Sequence, residues 1–181
     1  MTTKDLIDLS KLTNGRISDR TVFIDFVALC AMAISCAVDC VHADERRKGI
    51  AEILTRYQLK ERSQLFTGLR DLTDAVKTDI EQQRWEDRLG NAFQKLGMSG
   101  KDGIDFTPPD LTRLMARIAV GAQFVLPPEG YFTVTDPTCG SGITLLAAAE
   151  QLADAGYNPC QHLVMQAADL NRTCAHMAYV N

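Results

Sequence analysis

Two carboxylates and a pair of glycines are the residues of this chain best spaced for chemistry. In TVTDPTCGSGITLLAAA, residues 133–149, a β-branched run meets Asp136, and Gly140 and Gly142 follow within six residues. Glycines at that spacing let the backbone turn tightly and let a ligand approach without meeting a Cβ atom. The small-residue run behind them reads as a helix, whose first turn leaves N–H groups facing the turn. A second acid, Asp169, closes the next apolar run, HLVMQAADL. At the carboxyl end of a neighbouring parallel strand, such an acid is placed to accept hydrogen bonds from paired ribose hydroxyls. The expected site is a strand–turn–helix pocket for a nucleoside-containing ligand.

Other turn chemistries fit less well. A dinucleotide fingerprint needs a third glycine at position 145, where Leu145 stands. No Gly-Lys-Ser/Thr follows, which excludes a P-loop. A lone G-x-G is weak evidence and is often only a structural turn. The full series of strand, Asp-Pro-Thr-Cys-Gly-Ser-Gly, small-residue helix and second strand ending in an acid favours a ligand site. Cys139 lies inside this turn with no histidine near it in the motif, so a nucleophilic role is not expected. His162 and His176 read as ordinary surface or interface residues.

The elements that must position this turn are legible from periodicity. The first hundred residues read as helices. Ser18 caps a long one running to about Asp39, and ADERRKGIAEILTRYQL and RSQLFTGLRDLTDAVKTDIEQQ follow, the latter with Leu65, Leu69, Leu72 and Val76 at helical spacing. A fourth spans about Trp85 to Leu96 and stops at Gly97. MSGKDGID, residues 98–105, is a polar, glycine-rich connector. In FTPPDLTRLMARIAVG, Thr107 is expected to cap a helix, with Pro108 at its first position and Asp110 completing a capping box. Tyr131 to Asp136 reads as a strand, GITLLAAAEQLADAG as a helix, HLVMQAADL as a strand and NRTCAHMAYVN as a helix. That order implies a parallel βαβ unit. The division expected is a helical region over residues 1–97 and the start of an α/β domain over 98–181.

Bulk properties set outer limits. The net charge of −4 provides no basic field to attract nucleic acid, so DNA contact would need a local patch or another domain. ERRKG, residues 45–49, is the densest basic cluster and reads as a solvated helix face. Val22 to Val41 approaches the length of a membrane span, but Asp25 and Asp39 interrupt it, which favours a buried bundle helix. The N-terminus lacks an apolar core suited to a signal peptide, so reduced thiols in a cytoplasm are the default for the six cysteines. Cys36, Cys40 and His42 lack a second ligand pair at zinc-like spacing and read as interface thiols rather than a metal site.

Asp136 to Gly142, DPTCGSG, is very similar to the S-adenosylmethionine-binding motif of adenine-N6 DNA methyltransferases. In particular the chain resembles the modification subunits of type I restriction-modification systems. Those proteins carry a helical N-terminal domain, an F-T-P segment, the Asp-Pro-x-Cys-Gly-Ser-Gly turn and an acid after the second strand. Phe106-Thr107-Pro108, Asp136 to Gly142 and Asp169 occur here in that order, and EDRLGNAFQKL resembles the helix leading into the F-T-P segment. The resemblance implies a Rossmann-like methyltransferase domain with S-adenosyl-L-methionine as cofactor. By it, Phe106, Thr107 and Pro108 would enclose the methionine end, and Asp136 would contact the amino-acid portion, directly or through water. Pro137, Thr138 and Cys139 would complete the turn, and Gly140, Ser141 and Gly142 would let the cofactor pass close to the backbone. Asp169 would hold the ribose and Leu170 would flank the adenine. DNA is then the expected partner of the complete enzyme, alongside other methylase or specificity subunits.

One part of that machinery is not in these residues. The family's acceptor motif, Asn or Asp, Pro, Pro, then Tyr or Phe, orients the target adenine through polar contacts and an aromatic stack. FTPPD and LPPEG have the wrong flanks, and YNPC puts cysteine after Asn-Pro. Two readings follow: the cofactor-binding N-terminal part of a DNA methyltransferase, or a non-catalytic binding protein that regulates or pairs with methylase subunits. The reading frame downstream of codon 181 separates them.

Overall fold

The computed structural model describes residues 1–100, 104–120 and 125–181. The middle of the expected connector and the end of the FTPPDLTRLMARIAVG segment therefore lie outside the described residues.

The helical part begins earlier than expected. Helix α1, Thr3–Ser10, is closed by a capping box in which the Thr2 amide donates to Asp5 Oδ2 at 2.6 Å and the Asp5 amide to Thr2 Oγ1 at 3.3 Å. Helix α2, Asp19–Val38, starts at the expected Ser18 cap, whose hydroxyl accepts from the Thr21 amide at 3.1 Å. By length and composition α2 is apolar enough to cross a membrane. In this fold its segment from Val22 to Met32 is instead mostly buried, while Val38 is exposed.

Helix α3, Ala43–Leu54, starts where expected but ends early, and α4, Leu59–Glu81, opens early, on either side of residues that bond a buried acid. Asp25 on α2 accepts hydrogen bonds from Arg56 Nη1 at 2.8 Å and from the Tyr57 hydroxyl at 2.9 Å. Satisfying that carboxylate takes Arg56 and Tyr57 out of helical pattern, and a Gln58–Glu61 capping box then opens α4 early. Asp79 acts similarly at the other end, accepting from Arg84 Nη2 at 2.8 Å and Arg88 Nε at 2.7 Å, so α5 runs over Arg88–Lys95 only.

Helix α6, Pro109–Val120, starts two residues after Thr107, not one. The Thr112 amide donates to the Pro108 carbonyl at 3.1 Å, which makes Pro108 the cap. A residue before proline is pushed out of helical conformation, so of two consecutive prolines only the second can open the helix. The expected Thr107 cap and its box with Asp110 are corrected accordingly. Strand β1, Phe132–Asp136, leads to helix α7, Ile143–Asp154; a short helix α8, Pro159–His162, precedes β2, Leu163–Ala167, and helix α9, Arg172–Val180, follows. The strands pair in parallel, Phe132 opposite Leu163 through Asp136 opposite Ala167.

The chain is thus mostly helical with a small parallel two-stranded sheet, consistent with the α/β start of a methyltransferase domain. One core spans it: Phe23, Phe26, Leu65, Leu72 and Phe93 pack in the same cluster as Cys174 and Met177 of α9. Along β2, Val164 and Met165 are 44% and 50% exposed, although strands of parallel sheets are ordinarily covered on both faces.

Candidate functional site

The turn after β1 is shaped by its two glycines. Gly140 and Gly142 have φ of 54° and 90°, in the left-handed region that side chains avoid. A methyl group at either would make a tight contact, which its neighbour must give way to. A Cβ on Gly140 would stand 3.1 Å from the Phe106 ring, and one on Gly142 would stand 3.0 Å from the Ala178 backbone of α9. The F-T-P segment and the glycine turn, expected to form one site, are therefore in direct contact. Phe106 is itself anchored from behind, its ring 5.4 Å from that of Phe93.

Both acids hold the turn. Asp169 Oδ2 accepts the Gly140 amide at 2.9 Å, and its Oδ1 accepts the Asn171 amide at 2.7 Å. Asp136 Oδ1 accepts the Thr138 amide at 3.0 Å, and its Oδ2 accepts the Thr144 hydroxyl. The strand ends are tied across: the Cys139 amide donates to the Ala168 carbonyl and the Ala168 amide to the Asp136 carbonyl, each at 2.9 Å. A carboxylate oxygen carries two lone pairs, so each acid retains acceptor capacity for a ligand.

A cavity of about 230 Å³ lies between α5, the F-T-P segment and the start of α7. Asn91 and Gln94 supply polar groups to its wall, while Phe106, Pro108 and Ile143 supply apolar ones. Asp136, Asp169 and Leu170 are not part of that wall. Leu170 points fully into solvent and Pro137 and Thr138 are exposed, whereas Cys139 and Ser141 are buried. A larger groove of about 930 Å³ runs along Leu145 and Ala149 of α7, Met165 of β2 and Tyr179 of α9. That groove also takes in Gly142 and, from the end of α4, Val76 and Ile80, but no residue of the F-T-P segment.

Sequence reasoning missed Asp87. This acid caps α5 through the Gly90 amide at 2.7 Å and also accepts the Ser141 hydroxyl, tying the helical region to the middle of the turn. Its visible signal was an acid three residues before a glycine at a helix start, a common cap pattern.

Cys139 is no nucleophile in this geometry. Burial, reinforced by the nearby Asp169 and Asp136 carboxylates, pushes its thiol up to about 11, and burial pushes those of Cys30 and Cys174 up to about 12. At neutral pH, iodoacetamide is expected to modify the exposed Cys40 and Cys160 first and to spare these three in the folded protein. Peptide mass spectrometry over a time course checks this, and early modification of Cys139 would contradict the packing described.

Two of the possible metal ligands, His42 and Cys36, have other partners. His42 Nδ1 pairs with Asp39 Oδ2 at 2.7 Å, and the Cys36 thiol donates to the Ala43 carbonyl at 3.6 Å. Within the basic cluster, Arg47 pairs with Asp44 at 2.6 Å on an exposed helix face.

A family model described as N-6 DNA Methylase matches residues 86–181, more than half of the chain. The match begins just before Asp87 and takes in α5, the F-T-P segment, the glycine turn and Asp169. No curated protein and no solved structure matches the chain.

Proposed function

The chain belongs to the N-6 DNA methylase family, and from that premise we propose that it is the S-adenosyl-L-methionine-binding N-terminal part of a DNA adenine-N6 methyltransferase of the restriction-modification type. The observation that supports this reading is the packing of Phe106 against Gly140, which puts the F-T-P segment beside the Asp-Pro-Thr-Cys-Gly-Ser-Gly turn.

When bound, the cofactor supplies an activated methyl group on a sulfonium sulfur. The chain's own residues bind and orient it. Phe106, Thr107 and Pro108 wall the methionine end, with Asp136 near its amino-acid portion. Gly140 and Gly142 give the close backbone approach, Asp169 accepts from the ribose hydroxyls, and Leu170 presents an apolar surface to the adenine. In this reading residues 1–97 form a helical domain and residues 98–181 part of a Rossmann-like cofactor domain, whose exposed strand β2 accepts the rest of the sheet. The groups that orient a target adenine, and the partners that choose a DNA sequence, lie outside these residues. We place the working enzyme in the cytoplasm with DNA and with specificity or further methylase subunits.

Methyl-labelled cofactor separates the two halves of the proposal. Under ultraviolet light the label is expected to crosslink to peptides containing Phe106 or the 136–142 turn. In the dark, with DNA added, no label is expected in adenine. Label in adenine from this chain alone would refute the assignment of the acceptor site elsewhere, and crosslinks confined to other peptides would refute the cofactor site.

A further inference from the structure

Asp87 lies outside the cofactor motifs, yet three parts of the chain meet at its carboxylate. It is 5% exposed. Oδ1 accepts the Gly90 amide at 2.7 Å and Asn181 Nδ2 at 2.8 Å, and Oδ2 accepts the Ser141 hydroxyl. Asn181 Nδ2 also donates to the Ser141 carbonyl at 2.9 Å, closing a ring of hydrogen bonds around the turn. Ser141 has no solvent exposure and sits between the two left-handed glycines. Its side chain is therefore a tether and does not line the cavity.

A helix cap alone does not need this acid, since serine or asparagine caps as well. The bonds to Ser141 and Asn181 need its reach, with an oxygen acceptor for Asn181 and a polar group facing the Ser141 hydroxyl, which can donate or accept. Asp87 also lines the cavity whose opposite wall is Phe106, and Phe106 rests on Gly140, one residue from the tethered Ser141. A change at Asp87 must then shift the turn relative to the F-T-P wall.

We propose that Asp87 is a positioning residue for the cofactor turn: by tethering Ser141 and Asn181 it holds Gly140 against Phe106 and sets the width of the cavity between α5 and the F-T-P segment. Its effect on cofactor affinity rests on the function proposed above, whereas its hold on the turn does not. Burial pushes the Asp87 carboxyl up from its ordinary value, against the pull of its three hydrogen bonds.

Hydrogen–deuterium exchange on the cofactor-free full chain tests the tether. Asp87→Ser keeps a good cap but cannot reach Ser141, and Ser141→Ala breaks the same bond from the other side. Each is expected to speed exchange in the 139–142 turn about tenfold while leaving α2 unchanged. The double variant should be no faster than Asp87→Ser alone, and Asp87→Asn, which keeps the reach, should stay near the parent rate. Unchanged exchange in the turn, or faster exchange throughout α2 as well, would overturn the proposal. Calorimetry with S-adenosylmethionine then reads the consequence, an affinity about tenfold weaker in Asp87→Ser. A loosened turn with undiminished affinity would overturn the positioning role. A loosened turn in a chain whose parent binds no cofactor would leave the tether standing and remove the cofactor reading.

Discussion

Gly90→Ala is expected to destabilise the protein by about 2–4 kcal/mol, reversing the usual sign of such a change in a helix. In an ordinary helix, alanine gains about 1 kcal/mol over glycine. Here an added Cβ would stand 2.1 Å from Asp87 Oδ2 and 2.5 Å from Ser141 Oγ. Neither atom is the free end of a flexible chain, because the two bond each other and Asp87 Oδ1 is held by the Gly90 amide and Asn181 Nδ2. The methyl group must push the Asp87 carboxylate off the Gly90 amide, the Ser141 hydroxyl or both. That leaves a buried acceptor or donor unpaired, at about 1–3 kcal/mol. Urea unfolding should show a lower midpoint with an unchanged slope. A midpoint equal to or above the parent's would mean that the contact among α5, Asp87 and Ser141 is absent in solution.

Asp169→Ala is expected to weaken S-adenosylmethionine binding by roughly ten- to 150-fold, the equivalent of about 1.5–3 kcal/mol for lost hydrogen bonds to a charged group. Two losses combine. The ribose hydroxyls lose their acceptor, and the Gly140 amide loses the oxygen that holds it at 2.9 Å. The Asn171 amide, held at 2.7 Å, loses its partner as well, which loosens the start of α9. Calorimetric titration of parent and variant reads the ratio. Equal affinities would show that Asp169 serves the turn only and that the ribose lies elsewhere.

The parts legible in the sequence were those with local signals. Ser18 as a cap, β1 ending at Asp136, and the glycine turn followed by a small-residue helix each announce themselves within a few residues. The Thr2–Asp5 box is equally local, a threonine three residues before an acid. The break between α3 and α4 was not local, because it depends on Asp25 thirty-one residues from Arg56. Asp87 was hidden for the same reason: its partners Ser141 and Asn181 are 54 and 94 residues away. The one-residue slip at Thr107 came from a choice between two prolines, which the restriction on a residue preceding proline decides. Alternating and helical periodicity also cannot report whether a neighbour is present, so the exposure of Val164 and Met165 on β2, and of Leu114 and Ile118 on α6, was not foreseeable.

The central claim is that the F-T-P segment and the Asp136–Gly142 turn form a methyl-donor site in this chain. Isothermal calorimetry of the folded protein with S-adenosylmethionine, and separately with its demethylated product, tests it most directly. Weak, saturable binding of both at a single site, with a matching rise in thermal midpoint, is the predicted result. No heat and no thermal shift with either ligand, in a sample shown to be folded, would contradict it.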